Sequence, residues 1–309
     1  MNFRRSEFDV TNRINTTDPV CVKLEVDRIF RSLYSRPKAV TLNRAFDDMV
    51  RLYRGEFPGY AKCDTGYHDM QHVLEVTLAM ARLLDGYERS RGEDARHIPE
   101  RLFELGVICA LYHDIGYIRR VGDTKHRSGA EYTRVHVSRG ARFLRSYMPL
   151  IGLPEYADIA GQIVHFTGYE RPVSSIRVPD PIFKLLGSLL GSADIIAQMS
   201  DRCYLEKCRD RLYPEFVAGG IARMRSEGGE DIVLFESAED LLRKTPRFYQ
   251  NATQRLDVDL GGAYRFAQTH FGGTNLYMDA VKQNIRFVEK SAEAGDIVLR
   301  RQPPPASCE

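Results

Sequence analysis

The chain has 309 residues, of which 43% are hydrophobic and 28% charged, so it can bury a substantial core and wholesale disorder is excluded. Its 44 Lys and Arg residues nearly balance 42 Asp and Glu residues, and the net charge of +2 gives no global attraction to nucleic acid or anionic membranes. No apolar run approaches the roughly 20 residues that span a bilayer, and no secretory signal is evident, so we expect a cytoplasmic protein without a nucleic-acid or membrane partner.

Helical periodicity dominates the chain. Apolar residues recur at helical spacing, and the alternation that a strand requires is hard to find, so we predict an almost all-α protein. The predicted helices fall at about 41–54, 68–86, 98–114, 128–147, 154–167, 181–202, 203–212, 236–244, 247–270 and 276–292. The segment 98–114 and most of 181–202 are apolar on nearly every side, which is typical of helices at the centre of a bundle.

The two ends of the chain differ from its middle. Residues 1–20 are polar and without pattern, and the three prolines within 296–309 cannot continue a helix, so we predict a disordered N-terminal segment and a flexible tail. For the rest we predict a main helical domain over 21–205 and a C-terminal helical lobe over 206–295 packed on it. The six cysteines form no C-x-x-C pairs, and they predict neither a zinc knuckle nor a disulfide framework.

Several histidines and carboxylates lie in apolar helical sequence, where an unpaired charge costs several kcal/mol. His68 and His72 in YHDMQH are four residues apart on one helix face. His113 and Asp114 end the apolar segment 98–114, and Asp194 is a single carboxylate in GSADIIAQM. Imidazoles and carboxylates from separate helices are typical ligands of a divalent metal. Taken singly, each of these residues could equally be a structural residue that forms a hydrogen bond or an ion pair.

The order H…HD…D in these segments resembles the HD-domain superfamily of metal-dependent phosphohydrolases, over about residues 67–201. The resemblance implies that 21–205 is an HD-type domain. His136 in EYTRVHVSRGARFL resembles the histidine of the H-x-x-x-G-A-x-x-L helix in HD proteins with two metals, and His165 precedes an FTGYE loop where those relatives carry their next histidine. His126 also precedes a Gly-Ala pair, and it ranks second to His136.

The resemblance implies two divalent metal ions, with Asp114 as the bridging carboxylate and a catalytic residue. The implied ligands are His72, His113, Asp114, His136, His165 and Asp194. The ligand types do not distinguish Mg, Mn, Fe, Zn and Ni. Because two cations ~3.5–4 Å apart can activate water and stabilise a leaving oxygen, we expect hydrolysis of a small phosphate ester, for which a nucleotide is a candidate.

Two neighbouring groups are predicted to act on the substrate. His68 resembles the first histidine of the Y-H-N-x-x-H motif of cyclic-nucleotide phosphodiesterases, with Asp69 in place of the asparagine. That resemblance implies that His68 donates a proton to the leaving oxygen; the alternatives are a structural His68 and an Asp69 that orients an imidazole. Arg119, Arg120 and Lys125 are predicted to bind the substrate phosphate, unless their loop is simply solvated.

Other interpretations of the same residues stay open. Tyr117 stands where HD-GYP phosphodiesterases carry a lysine, so hydrolysis of cyclic di-nucleotides is not predicted. A di-iron oxygenase on an HD fold would use nearly the same ligands, and a non-catalytic HD regulator would keep them to bind a nucleotide. The aromatic segment 247–278 indicates either packing or a substrate lid with a hinge at Gly272-Gly273, and a homo-oligomer is compatible with the sequence.

Overall fold

A computed structural model describes residues 4–35, 37–225, 231–293 and 297–306. The described residues form a helical bundle with one short hairpin, which confirms the predicted all-α class. The α-helices are α1 (Pro19–Leu33), α2 (Val40–Arg54), α3 (Met70–Ser90), α4 (Glu100–Leu111), α5 (His136–Leu150), α6 (Ala157–Ile163), α7 (Pro181–Ser200), α8 (Tyr204–Lys207), α9 (Tyr213–Ala218), α10 (Ala238–Gln254), α11 (Phe266–His270) and α12 (Leu276–Glu293). Strands β1 (Arg223–Arg225) and β2 (Asp231–Val233) pair antiparallel, with Arg223 opposite Val233.

Helices α3 and α7 form the centre of the bundle. Helix α3 packs against α1, α4, α7 and α11, and α7 packs in addition against α12. Among the described residues, α7 is long and apolar enough to cross a membrane by length and composition, which corrects the expectation that no apolar run reaches that length. However, 72% of its most apolar window is buried inside the protein, as in the core helix of a bundle.

Helix α1 was not among the predicted helices, although its signals are local. The side chain of Asp18 accepts a hydrogen bond from the backbone N–H of Val20 at 2.8 Å, and Pro19 occupies the first turn, where its missing N–H has no cost. Its buried apolar residues follow helical spacing: Val22, Val26, Ile29 and Phe30. This capped amphipathic helix was missed because it directly follows the polar residues at the start of the chain.

The described part of the N-terminal segment is packed, in contrast to its predicted disorder. Asp9 forms a buried ion pair with Arg82 of α3, with 2.5 Å between the carboxylate and the guanidinium. The hydroxyl of Thr16 donates to Glu75 of α3 at 3.1 Å. These polar contacts hold the segment against the core, so its polar composition was a poor guide.

The C-terminal part differs from its prediction in several places, one of which is the predicted helix 247–270, interrupted at Gly261 and Gly262. Helix α10 runs through Pro246, although the sequence predicted a break there. Leu242 and Thr245 before the proline and Ala252 after it are buried, and this packing offsets the missing hydrogen bond. Helix α9 and the hairpin were not predicted. In the tail, the backbone N–H of Arg301 donates to Glu206 at 3.0 Å, whereas residues 296 and 307–309 lie outside the described residues. The domain division at 205/206 stays a prediction.

The described cysteines are free thiols, as the absence of paired spacing indicates. They are Cys21, Cys63, Cys109, Cys203 and Cys208. Cys308 lies outside the described residues.

Candidate metal centre and cavity

The candidate metal centre lies where the ends of two helices meet the middle of a third. His72 is in the first turn of α3, and the Asp69 carboxylate caps this helix by accepting the backbone N–H of His72 at 3.0 Å. His113 and Asp114 follow the end of α4, and Asp194 lies within α7. Asp69 therefore helps to begin the helix that positions His72.

The side chains of these residues converge on a small volume. Nε2 of His72 lies 3.3 Å from Nε2 of His113 and 3.4 Å from Oδ1 of Asp194. Oδ2 of Asp114 lies 3.3 Å from Nε2 of His72 and 3.1 Å from Nε2 of His113. One ligand atom each from His72, His113 and Asp194 lie within 4.8 Å of one another, so these three residues could hold a metal ion.

The backbone orients two imidazoles so that Nε2 faces the centre. Nδ1 of His113 lies 2.7 Å from the carbonyl oxygen of Ala110. Nδ1 of His136 lies 2.7 Å from the carbonyl oxygen of Thr133. Because a carbonyl only accepts, each Nδ1 carries the proton and each Nε2 keeps a lone pair for a cation.

The electrostatics of the centre favour a positive charge. Burial would lower the pKa of His72, but its hydrogen bonds with Asp114 and Asp194 raise the pKa to about 10. Burial would raise the pKa of Asp114, but His113 and His72 hold that pKa well below its usual range. The two carboxylates therefore create a negative potential at the point where the imidazoles converge.

His136 lies beside the second carboxylate oxygen of Asp114. It begins α5, and its Nε2 lies 3.6 Å from Oδ1 of Asp114, whereas His72 and His113 face Oδ2. Burial lowers the pKa of His136, which favours the neutral imidazole that a metal requires. His126, the rival candidate, lies instead 3.1 Å from the carboxylate of Asp123 and 2.9 Å from the hydroxyl of Tyr132.

His165 has a different environment. Its Nε2 lies 2.9 Å from a guanidinium nitrogen of Arg171, and its buried Nδ1 has no hydrogen-bond partner among the described residues. Burial, and then the charge of Arg171, lower the pKa of His165 to about 4. His165 is therefore neutral near pH 7 with Nε2 accepting from Arg171, and its role as a metal ligand stays a prediction.

The predicted phosphate-binding loop is directed elsewhere. Arg119 pairs with Asp64 at 2.8 Å, and the guanidinium of Arg120 lies 3.9 Å from the ring centroid of Tyr60 in a separate cavity of about 250 Å³. Arg119, Arg120 and Lys125 are not among the described residues that line the cavity at the candidate metal centre. Their role in substrate binding stays a prediction that this placement does not favour.

His68 is held by a carboxylate that the sequence did not single out. Its Nδ1 lies 2.5 Å from Oε2 of Glu215 in α9, and Oε1 of Glu215 accepts the backbone N–H of Tyr67 at 2.5 Å. The ring of Tyr117 stacks on His68 at 4.2 Å and on His136 at 4.4 Å between centroids. Nothing in the local sequence indicates the link to Glu215, because the two residues are 147 positions apart.

One cavity of about 600 Å³ opens onto these groups. Its polar floor contains His68, His72, Asp114, His136 and Asp194. Its walls come largely from the C-terminal part of the chain and are mostly apolar: Ile195, Tyr204, Leu212, Phe216, Ile221, Leu234, Phe235, Leu241 and Phe248. A small molecule bound there would contact both the polar floor and the apolar walls.

Comparison with known proteins does not assign the chain to a family. No protein-family model matches the sequence, and no match is found among curated proteins.

Proposed function

We propose that this chain is a metal-dependent phosphohydrolase of the HD type that acts on a small phosphate ester. The observation that carries the proposal is the placement of Asp114. One of its carboxylate oxygens faces His72 and His113, and the other faces His136. This is the arrangement that a carboxylate shared by two cations requires.

The residues of the centre suit divalent cations. His72, His113, Asp114 and Asp194 would hold one ion, and Asp114 and His136 would contribute to a second, for which His165 is a further candidate ligand. When bound, divalent cations polarise a phosphate oxygen and lower the pKa of a water molecule. His72, His113 and Asp114 are largely buried, which limits competition from solvent for their ligand atoms.

In this proposal His68 supplies the proton that the leaving group takes up. It lines the same cavity as Asp114, and its Nδ1 is held by Glu215. Glu215 accepts the hydrogen bond of Nδ1 and so orients the imidazole, which leaves Nε2 to donate a proton to the leaving oxygen. Tyr117 stacks on both imidazoles, and the ring centroids of His68 and His136 lie 6.3 Å apart.

The first test compares metal content and hydrolysis. We expect protein loaded with Mn²⁺ to hydrolyse p-nitrophenyl phosphate and to contain two metal ions per chain, because the candidate ligands surround both oxygens of Asp114. Asp114→Ala should lose metal and reduce kcat/KM by at least about 100-fold. Metal content is measured by elemental analysis of the dialysed protein, and hydrolysis by release of nitrophenolate.

A matched control is available in the same fold. Asp85 is also a buried carboxylate beside a histidine, with 2.6 Å between Oδ2 and Nδ1 of His270, but it lies outside the candidate centre. Asp85→Ala should keep its metal content and its activity per folded molecule. Full activity of Asp114→Ala would contradict the proposal, as would consumption of dioxygen by an iron-loaded protein that hydrolyses no phosphate ester.

A further inference from the structure

The cavity changes character with distance from the candidate metal centre. Its floor carries the imidazoles and carboxylates, whereas its outer part is walled by α9, α10 and the segment after β2. Phe216 and Phe235 stack there with ring centroids 5.7 Å apart, and Leu241 and Phe248 of α10 line the same space. A molecule bound at the floor would therefore extend between aromatic and aliphatic side chains.

The charges around the cavity do not favour a highly anionic ligand. Among the described residues, the cationic side chains in the lining are Arg134 and Lys244. Arg134 donates to the carbonyl oxygen of Gly220 at 2.6 Å. Lys244 pairs with Asp240 at 2.7 Å and also donates to the carbonyl oxygen of Leu234 at 2.8 Å. Both cations are thus engaged, whereas a polyphosphate chain needs several donors directed at it.

Two apolar side chains of the wall remain partly open to solvent. Phe248 is 39% exposed and Leu234 is 37% exposed. Exposed apolar side chains that are continuous with a cavity mark a binding surface more often than isolated ones do. A ligand with an apolar part would cover them and remove their surface from water.

Because one cavity joins the polar candidate metal centre to an apolar wall, we infer that the substrate is a phosphate ester whose alcohol part is apolar. The wall formed by the C-terminal part of the chain would hold that apolar part. The inference rests on the proposed function and narrows it. Aromatic and aliphatic side chains predominate in the wall over polar ones such as Gln198 and Thr245, and the hydroxyls of a nucleoside against them would lose hydrogen bonds with water. The phosphate would lie at the polar floor and the hydrocarbon between Phe216 and Phe248. The C-terminal helices would then select the substrate while the ligands of α3, α4 and α7 act on the phosphate.

The test measures binding, so that it does not depend on turnover. Methyl-, butyl- and octylphosphonate, which are not hydrolysed, are titrated into the Mn²⁺-loaded protein by calorimetry. Affinity should rise with chain length, by up to roughly fourfold for each methylene that becomes fully buried. Phe248→Ala should weaken octylphosphonate binding by about tenfold and leave methylphosphonate unchanged.

Phe287→Ala is the matched control, because Phe287 is also 39% exposed but lies on α12, outside the cavity lining. It should bind all three phosphonates as the unmodified chain does. Equal affinity for the three phosphonates, or tighter binding of adenosine monophosphate than of octylphosphonate, would overturn the inference. Chain-length-dependent binding without any ester hydrolysis would instead support the apolar site while contradicting the proposed function.

Discussion

At the residue scale, the proposed role of His68 depends on its contact with Glu215, a residue 147 positions away in the sequence. Its pairing with Glu215, with Nδ1 and Oε2 2.5 Å apart, resembles a surface pair in which Nδ1 of His97 lies 2.7 Å from Oε2 of Glu88. The difference is location: His68 lines the cavity of the candidate metal centre, and His97 does not. His97 therefore serves as a comparison for the proposed catalytic role of His68.

We predict that His68→Ala affects esters according to their leaving group. An alkoxide needs a proton as it leaves, so kcat for an alkyl phosphate should fall by about 10²–10⁴-fold. Nitrophenolate is stable without a proton, so kcat for p-nitrophenyl phosphate should fall by less than about tenfold. Steady-state kinetics on both esters measure this difference. His97→Ala should change neither rate, and an equal loss on both esters in His68→Ala would indicate a structural role.

At the element scale, the candidate centre depends on a close contact between the turn Ile115–Tyr117 and the start of α5. A Cβ atom on Gly116 would lie 1.8 Å from the carbonyl oxygen of His136. Because backbone atoms cannot rotate away, only glycine allows this approach. The contact places His136 beside Asp114, which precedes the same turn.

We predict that Gly116→Ala displaces α5 and with it His136. Overpacking of this kind lowers the free energy of unfolding by about 1–3 kcal/mol, and a shift of about 1 Å at a ligand lowers catalysis by up to about 100-fold. Urea unfolding and hydrolysis of p-nitrophenyl phosphate measure the two effects. Gly92→Ala is the control, since a Cβ there meets nothing within 4 Å. A stable, fully active Gly116→Ala would show that the turn and α5 can separate without consequence.

At the scale of the whole molecule, one buried guanidinium joins three distant parts of the chain. Arg82 of α3 pairs with Asp9 of the N-terminal segment and donates to the hydroxyl of Tyr277 in α12 at 2.9 Å. Arg82 is almost fully buried. The N-terminal segment therefore neutralises a charge that the core could not hold alone.

Removing the carboxylate should be costly. We predict that Asp9→Ala lowers the free energy of unfolding by about 3–5 kcal/mol, because it leaves the guanidinium of Arg82 buried without its counter-charge. Asp47→Ala, which removes an exposed carboxylate 2.8 Å from Lys23, should cost at most about 1 kcal/mol. Urea denaturation measures both variants. If the two lost similar stability, the buried pair would not anchor the N-terminal segment.

Features that depend on neighbouring residues in the sequence could be predicted, whereas contacts between residues far apart in the sequence could not. Helices α3, α4 and α7 are long, strongly apolar segments in which most residues are buried, so their positions could be predicted within a few residues. The signals that begin α1, the cap Asp18 and Pro19 in the first turn, are also adjacent in the sequence, but they were overlooked among polar residues. The partner of Arg119 could not be predicted, because Asp64 is 55 residues earlier and no spacing rule connects them.

The sequence by itself determined the helical class, since periodic burial is a property of each segment. It also identified the imidazoles and carboxylates that need a charged partner or a metal ion in apolar surroundings, and it ranked His136 above His126 as a candidate metal ligand. Only the tertiary structure decided which of these groups face one another, that Glu215 holds His68, and that α9 and α10 form an apolar wall over the candidate centre. The physical reason is that contacts between helices depend on how their faces pack in three dimensions, and separation along the chain carries almost no information about that packing.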